Sequence, residues 1–412
     1  MYASPNTFSQ LPFTWDVKVI SNSSSTNDSM QNESLRVLHI INGEHFSGAE
    51  RVQDLLGLTL SRFGWQPGFV CLKDGKFPKQ RESTDCPLYI EPMNNRFDLR
   101  IVRAIVRIVK SEGYRIVHAH TPRSVMIGRL VARKTGAKLV YHVHSPVGRD
   151  STRFLQNKLN QWTEQWSLRK CDAMICVSKS LKSYMEHAGH DPGKLFVVHN
   201  GVRSLASCPD RNPPMGTWTL GTTALFRPRK GTEVLLQAIA NLRNRGCPVR
   251  LLAVGPFEST DYEQKIKSLA TELEISSLIE WTGFQTDVNA FFQRMDLFVL
   301  PSLFGEGLPM VVLEAMATGV PVIAADVEGV NEAIRDQIDG HIFPPGDSTA
   351  LADSIQTLIE RPDAWKQMSH SCVIQQSESF SETSMAAGVA SVYRTICEMS
   401  PGNSDSHSTH HN

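Results

Sequence analysis

Short apolar runs recur along the chain, separated by longer stretches in which apolar positions return every three or four residues. Leu35–Ile41, Ile116–His120, Leu139–His144, Ala173–Val177 and Leu195–Val198 are runs of the first kind and predict buried strands. A loop containing glycine follows the first of them, and then a helix is predicted from about Ala49 to Phe63. Around Arg203–Trp218 the pattern breaks into polar residues carrying Pro209, Pro213 and Pro214, which reads as a linker. The alternation then restarts, with strands predicted at Thr219–Ala224, Val249–Val254, Ile279–Trp281, Leu297–Leu300 and Val322–Ala325. Helical patterns fall at Gly231–Arg245, Asp261–Leu273, Met310–Thr318 and Thr349–Glu360. Strands alternating with helices imply a parallel sheet covered on both faces. The expected fold is therefore α/β, with two Rossmann-like domains, 35–205 and 206–380, facing each other across a cleft. Ligands of such sheets bind at the carboxyl ends of the strands.

Composition narrows the class. The chain is 41% hydrophobic and 20% charged, as expected of a globular protein. Residues 1–34 and 400–412 are rich in polar residues, cannot build a core, and are expected to be disordered. No apolar run has the length of a membrane span, and the N-terminal stretch lacks the basic and apolar blocks of a secretory signal. Eight scattered cysteines read as free thiols, so a cytoplasmic location is expected. Net charge is zero, yet residues 35–205 carry about 27 Lys and Arg against 14 Asp and Glu, and the remainder from 206 is acidic by about 11. A basic half suits an anionic acceptor or membrane surface, or merely solvates outer helices. Arg96, Arg100, Arg103, Arg107 and Lys110 recur at helical spacing beside an apolar stripe. That stripe could rest on anionic lipid at the inner face of a membrane, or be the wet side of a helix. No nucleic-acid partner is expected.

The most informative segment is Phe304–Asp326. Pro309 suits the first turn of a helix, Gly319 suits its end, and Pro321 stops any continuation. The residues between are nearly all apolar, so the helix is expected to be buried. Glu314 sits in its middle, where a carboxylate is costly unless paired. Glu306 lies just before the helix, beside free backbone N–H groups and the positive end of the helix dipole, a place that attracts phosphate. Gly307, Leu308 and Pro309 complete this candidate anion seat.

The pattern of Glu306 and Glu314, seven residues between them, resembles the signature of the retaining glycosyltransferases of the two-Rossmann (GT-B) architecture. That large group 1 family includes sucrose-phosphate synthases and phosphatidylinositol mannosyltransferases. The resemblance implies that Glu306 works near the donor sugar and that Glu314 accepts hydrogen bonds from the nucleotide ribose. It further implies that cationic side chains and a helix end, rather than a metal, neutralise the leaving diphosphate, and that no cofactor is needed. Leu225–Gly231 offers such cations where a strand gives way to a helix. Aligned on Lys230-Gly231, the family's usual Arg falls on Leu225, so Lys230 is assigned and Arg227 is a displaced partner. Arg229 could share the anion or be a solvated surface residue. Trp281–Val288 resembles the segment in which Phe284 abuts the nucleotide base; the alternative is a core phenylalanine. Asn42–Arg51 matches the family's loop near donor phosphates and acceptor, with Ser47 where a second glycine is common and Gly48 as the residue of close approach. The resemblance also implies a C-terminal helix, 381–399, packing back on the first domain.

Two histidine pairs, His118/His120 and His142/His144, have the period-two spacing that puts each pair on one face of a strand. The resemblance assigns His144 to the transferred sugar and gives His118 and His120 a structural role. No Cys or carboxylate accompanies them in ligand spacing, so no metal site is expected. Asn200-Gly201-Val202 resembles a family motif at the domain junction, with Arg203 in place of its Asp. The function these residues imply is transfer of a sugar from a nucleotide-diphosphate donor, UDP or GDP, to an acceptor hydroxyl in polysaccharide, lipopolysaccharide or glycolipid synthesis. The acceptor, be it polysaccharide, lipid-linked oligosaccharide or polyol, stays open. The alternatives are a nucleotide-sugar epimerase of the same architecture, or a non-catalytic protein that kept the nucleotide cleft.

Overall fold

A computed structural model of the chain describes residues 35–95, 98–145, 167–205 and 210–398. The polar segments 1–34 and 400–412, and Arg96 of the basic stripe, lie outside the described residues. Two sheets carry the fold. The first runs in the order β3-β2-β1-β4-β5-β6-β7. Its strands are β1 (Leu35–Ile41), β2 (Trp65–Cys71), β3 (Leu88–Ile90), β4 (Tyr114–Ala119), β5 (Lys138–Val143), β6 (Ala173–Cys176) and β7 (Leu195–Val197). The second runs in the order β10-β9-β8-β11-β12-β13. It comprises β8 (Trp218–Thr223), β9 (Val249–Val254), β10 (Ile279–Gly283), β11 (Leu297–Leu300), β12 (Val322–Ala325) and β13 (Gly340–Phe343). Every described ladder between named strands is parallel.

Both strand orders are doubly wound. In each sheet the chain grows outward in one direction and then returns to the other side of its first strand. The crevices this creates lie at the carboxyl ends of β1 and β4 in one sheet and of β8 and β11 in the other. Core residues of β1, β4, β5 and β6 are buried on both faces, which explains why these strands read as unbroken apolar runs. β2 hid behind Pro67 and Gly68, residues that argue against a central strand. Gly68 is there because the Tyr114 hydroxyl lies 2.0 Å from where a β-carbon would stand.

Two stretches of chain join the domains, and they run side by side. Val202 and Ser381 form a parallel bridge, Val202 N–H donates to Phe380 O at 2.9 Å, and the Gln376 side-chain amide donates to Val202 O at 3.0 Å. After this crossing, helix Glu382–Glu398 packs against helix Gly48–Thr59 and β6. The preceding helix, Pro362–Ser379, was not apparent in the sequence pattern. Its Trp365 is buried in the second domain, where the indole N–H donates to Asp296 O at 2.8 Å. Among the described residues, no helix is long and apolar enough to cross a membrane.

Tyr393 anchors the returning helix. Its ring meets Trp65 edge-on at 4.9 Å between centroids, and its hydroxyl lies 2.6 Å from His118 Nδ1. Tyr393→Phe removes the only described partner of a buried imidazole nitrogen. The expected cost is about 1–3 kcal/mol of unfolding free energy, read from urea denaturation; an unchanged midpoint would show that the hydroxyl contributes nothing.

Candidate active site

The segment singled out in the sequence forms helix Met310–Ala317. Pro309 stands at its N-cap with φ −72°, and no side chain caps its first turn. Open N–H groups at this end leave a seat for an anion. Gly319, at φ 69°, closes the other end in the left-handed conformation that glycine tolerates. Glu314 is 4% exposed in the middle of the helix. Burial pushes its pKa up, and the Arg51 guanidinium opposes the shift. Arg51 comes from helix Gly48–Thr59 of the first domain and ion-pairs with Glu314 Oε1 across the cleft. Neither carboxylate oxygen has a hydrogen bond of sound geometry among the described residues, so both can still accept hydroxyl groups.

Glu306 is held differently. Its Oε1 accepts from Ser302 Oγ at 2.7 Å and from Lys230 Nζ at 2.5 Å, and Arg229 Nη1 stands 3.5 Å away. Arg229 also reaches Gly305 O at 3.2 Å. These cations arrive on a short 3-10 turn, Pro228–Lys230, that follows β8. Arg227 points elsewhere: its guanidinium faces Glu258 at 3.6 Å, and its Nε is buried without a partner among the described residues. Of the three cations after Leu225, the structure thus brings Lys230 and Arg229, not Arg227, onto Glu306.

The two domains meet tightly beside this cluster. A β-carbon on Gly307 would stand 2.1 Å from the His144 carbonyl oxygen, so glycine is required for the close approach. Where Gly48 opens its helix, a β-carbon would stand 3.6 Å from Met310 Sδ. Asn200 Nδ2 donates to Leu308 O at 3.2 Å. Glu332 of the second domain accepts from the N–H groups of Lys179 and Ser180, at 2.6 and 2.9 Å, and lies 3.1 Å from His199 Nε2. These partners hold its pKa below the usual carboxylate range despite the opposing effect of burial. Phe284 is 59% exposed, which removes it from the core, and Lys76 Nζ lies 5.0 Å from its ring centroid. Arg51, Ser302 and Glu332 escaped the sequence reading. For Arg51 a signal existed, since a buried Glu demands a cation and Arg51 ends the segment already singled out.

On the first domain, His39, His118, His120, His142 and His144 cluster at the carboxyl ends of β1, β4 and β5. His39 Nδ1 lies 2.9 Å from His120 Nε2, and His120 Nδ1 lies 3.3 Å from His144 Nε2. Burial lowers all five pKa values, that of His39 to about 3 and that of His144 to about 4. His39, His118 and His120, and again His120, His142 and His144, each bring ring nitrogens within 4.8 Å of one another, near enough to suggest a metal ion. An ion lies in the plane of each imidazole that binds it. Within these groups His39 Nδ1 faces His120 Nε2 and His120 Nδ1 faces His144 Nε2, so these nitrogens are engaged with one another as hydrogen-bond pairs. An ion would have to displace those hydrogen bonds.

Residues 218–361 match the family model described as glycosyl transferases group 1, and residues 46–204 match that of glycosyltransferase family 4. The chain is 29% identical over 295 residues to the phosphatidyl-myo-inositol mannosyltransferase of Mycobacterium leprae, covering 68% of this chain and 73% of that protein. It is 21% identical over 338 residues to an Escherichia coli UDP-Gal:alpha-D-GlcNAc-diphosphoundecaprenol alpha-1,3-galactosyltransferase, covering 78% and 87%. Among solved structures, Anabaena HepE in complex with UDP superposes with a TM-score of 0.75 at 20% identity, covering 88% of this chain and all of that one. Sucrose-phosphate synthase from Thermosynechococcus elongatus superposes with a TM-score of 0.71 at 19% identity, covering 89% and all of that chain. Two parallel-sheet Rossmann-like domains around a cleft define the GT-B architecture of these neighbours. The chain belongs to the group 1 glycosyltransferases.

The buried histidines set a pH dependence. Their folded pKa values lie below the ordinary 6.5, so the unfolded chain takes up protons first as pH falls. Their contribution is whole above pH 6.5 and is lost as pH falls below it, down to about 3 for His39 and about 4 for His144. Each histidine still neutral removes about 1.4 kcal/mol per pH unit. Glu332 acts in the same sense below its ordinary value, and Glu314 in the opposite one. Urea titrations at pH 7.5, 6.5 and 5.5 are expected to show a plateau and then a steep fall; a flat profile would refute the neutral cluster.

Proposed function

We propose that this protein is a retaining glycosyltransferase that moves a hexosyl group from a nucleotide-diphosphate sugar to an acceptor hydroxyl on a glycolipid or polysaccharide precursor. The observation that carries this reading is the grouping of Glu306, Lys230 and Arg229 beside the uncapped end of helix Met310–Ala317, with His144 across the cleft. The UDP bound in HepE and the galactosyl and mannosyl transfers named for the relatives support a nucleotide-sugar donor and a glycolipid-type acceptor.

In this reading the diphosphate sits at the open helix end, where backbone N–H groups and the cations of Lys230 and Arg229 stabilise the charge that develops on it. Glu314 accepts the ribose hydroxyls through Oε2 and the remaining lone pair of Oε1, which ion-pairs with Arg51. Phe284 offers its exposed ring to the base. The bond from the anomeric carbon to the phosphate oxygen breaks, and the acceptor oxygen attacks from the same face. Its proton passes to the departing phosphate. Glu306 is engaged by Ser302, Lys230 and Arg229, which suits an electrostatic role near the sugar better than that of a free base. The cations already present do the work a divalent metal would do, so none is required.

The basic face of the first domain extends this proposal. Arg103, Arg107 and Lys110 are exposed on helix Ile101–Ser111, and Leu99 beside it is 48% exposed. This face would hold the enzyme against the anionic inner face of a membrane that carries its acceptor.

Calorimetry of UDP, GDP, ADP and their common sugar conjugates, without divalent metal, is expected to give tight binding of one nucleotide. Lys230→Ala is expected to lower turnover of that donor by about a hundredfold or more with the fold intact. An anomeric product of inverted configuration, or near-normal turnover by the variant, would overturn the reading. Co-sedimentation with phosphatidylglycerol vesicles but not phosphatidylcholine vesicles is expected, weakened in Arg103→Glu/Arg107→Glu; equal binding to both lipids would remove the membrane contact.

A further inference from the structure

The buried imidazoles bear on what His144 can offer a substrate. His39, His120 and His144 form a chain in which each interior ring nitrogen faces another ring. Burial keeps all three neutral, so each carries one proton on one of its two nitrogens. The chain therefore has two internally consistent arrangements. In one, His144 Nε2–H donates to His120 Nδ1 and His120 Nε2–H donates to His39 Nδ1. This strands the His39 proton on Nε2, a buried atom with no hydrogen-bond partner among the described residues. In the other, every donor is reversed. His39 Nδ1–H donates to His120 Nε2, and His120 Nδ1–H donates to His144 Nε2. The buried end is then a bare lone pair, and the proton of His144 stands on its remaining nitrogen, Nδ1. A buried N–H without an acceptor is the rarer and costlier defect, which favours the second arrangement. His144 is the half-buried member of the three, so the chain ends where a substrate can reach it.

We propose that His39 and His120 are positioning residues that fix His144 as the Nδ1–H tautomer, an uncharged hydrogen-bond donor at the cleft. The inference rests on the reading above that the donor sugar sits against His144. A neutral donor suits that place. It can hold a sugar hydroxyl, whereas an imidazolium would oppose the positive charge that gathers on the sugar ring as its bond to phosphate breaks. The apolar burial of the chain supplies the neutrality, and its direction supplies the donor.

Nitrogen-15 NMR of the full chain labelled at histidine, at pH 7 and without ligand, tests the tautomer independently of activity. The His144 resonances, assigned by their loss in His144→Gln, are expected to show a protonated Nδ1 and an unprotonated Nε2. A proton on Nε2 would overturn the proposal outright. His39→Asn keeps an N–H group close to the lost Nδ1–H, and His39→Leu does not. The asparagine variant is expected to retain the tautomer and to keep kcat within about threefold. The leucine variant is expected to give mixed tautomers and a kcat lowered at least about tenfold, with nucleotide affinity by calorimetry unchanged. A merely structural role for His39 would make the two variants lose kcat in step with their stability, which would also overturn the proposal. Failure of nucleotide binding by the unsubstituted protein would instead refute the transferase reading and leave the tautomer assignment standing.

Discussion

A carboxylate buried in an apolar helix has to find a cation, and here the cation belongs to the other domain. Glu314 lies inside the second domain, while Arg51 projects from the opening helix of the first. The pair binds the domains at the place of the proposed nucleotide seat. It is also incomplete, because neither oxygen of Glu314 is committed to a sound hydrogen bond. An ion pair of this kind opposes the protonation that burial favours without exhausting the carboxylate's capacity to accept. The close approach of Gly307 to the His144 carbonyl and the grip of Glu332 on the start of helix Lys179–His187 depend on the same closed arrangement of the domains.

Electrostatics separates the two acidic residues that first drew attention. Glu306 meets two cations and a hydroxyl, which anchor its carboxyl group close to the proposed leaving group. Glu314 meets one cation and much apolar surface, so its proton affinity is raised. Sequence proximity makes them look like a matched pair, but their surroundings give them different work. The histidine cluster illustrates the complementary point. Five ionisable rings gathered at the carboxyl ends of three central strands supply no charge at neutral pH, because burial has removed it.

The strands nearest the centre of each sheet were legible because burial on both faces demands unbroken apolar runs. β9, β11 and β12 match the bounds expected from the sequence. β2, β3 and β13 were not, since a proline with a glycine, a run of three residues and a leading glycine each weaken that signal. The helix carrying Glu314 was legible for a different reason: its start and stop residues, Pro309 and Gly319, are local. Arg51, Ser302 and Glu332 depend on distance across the cleft, which no periodicity records. Arg227 and Arg229 show the limit sharply. Both follow the same strand two residues apart, and only the turn at Pro228–Lys230 decides which of them faces Glu306.

The side-by-side crossing at Val202 and Ser381 has a mechanical meaning. A body joined to another by two covalent strands at separate points cannot rotate freely, whereas one joined at adjacent points can swing about a single short axis. The bridge between these strands welds them into one pivot. Every noncovalent contact across the cleft then lies on one lever arm, and those farthest from the pivot part by the greatest distance for a given rotation. Opening and closing of the cleft would need only a few torsions at that pivot, and each domain would keep its own core intact.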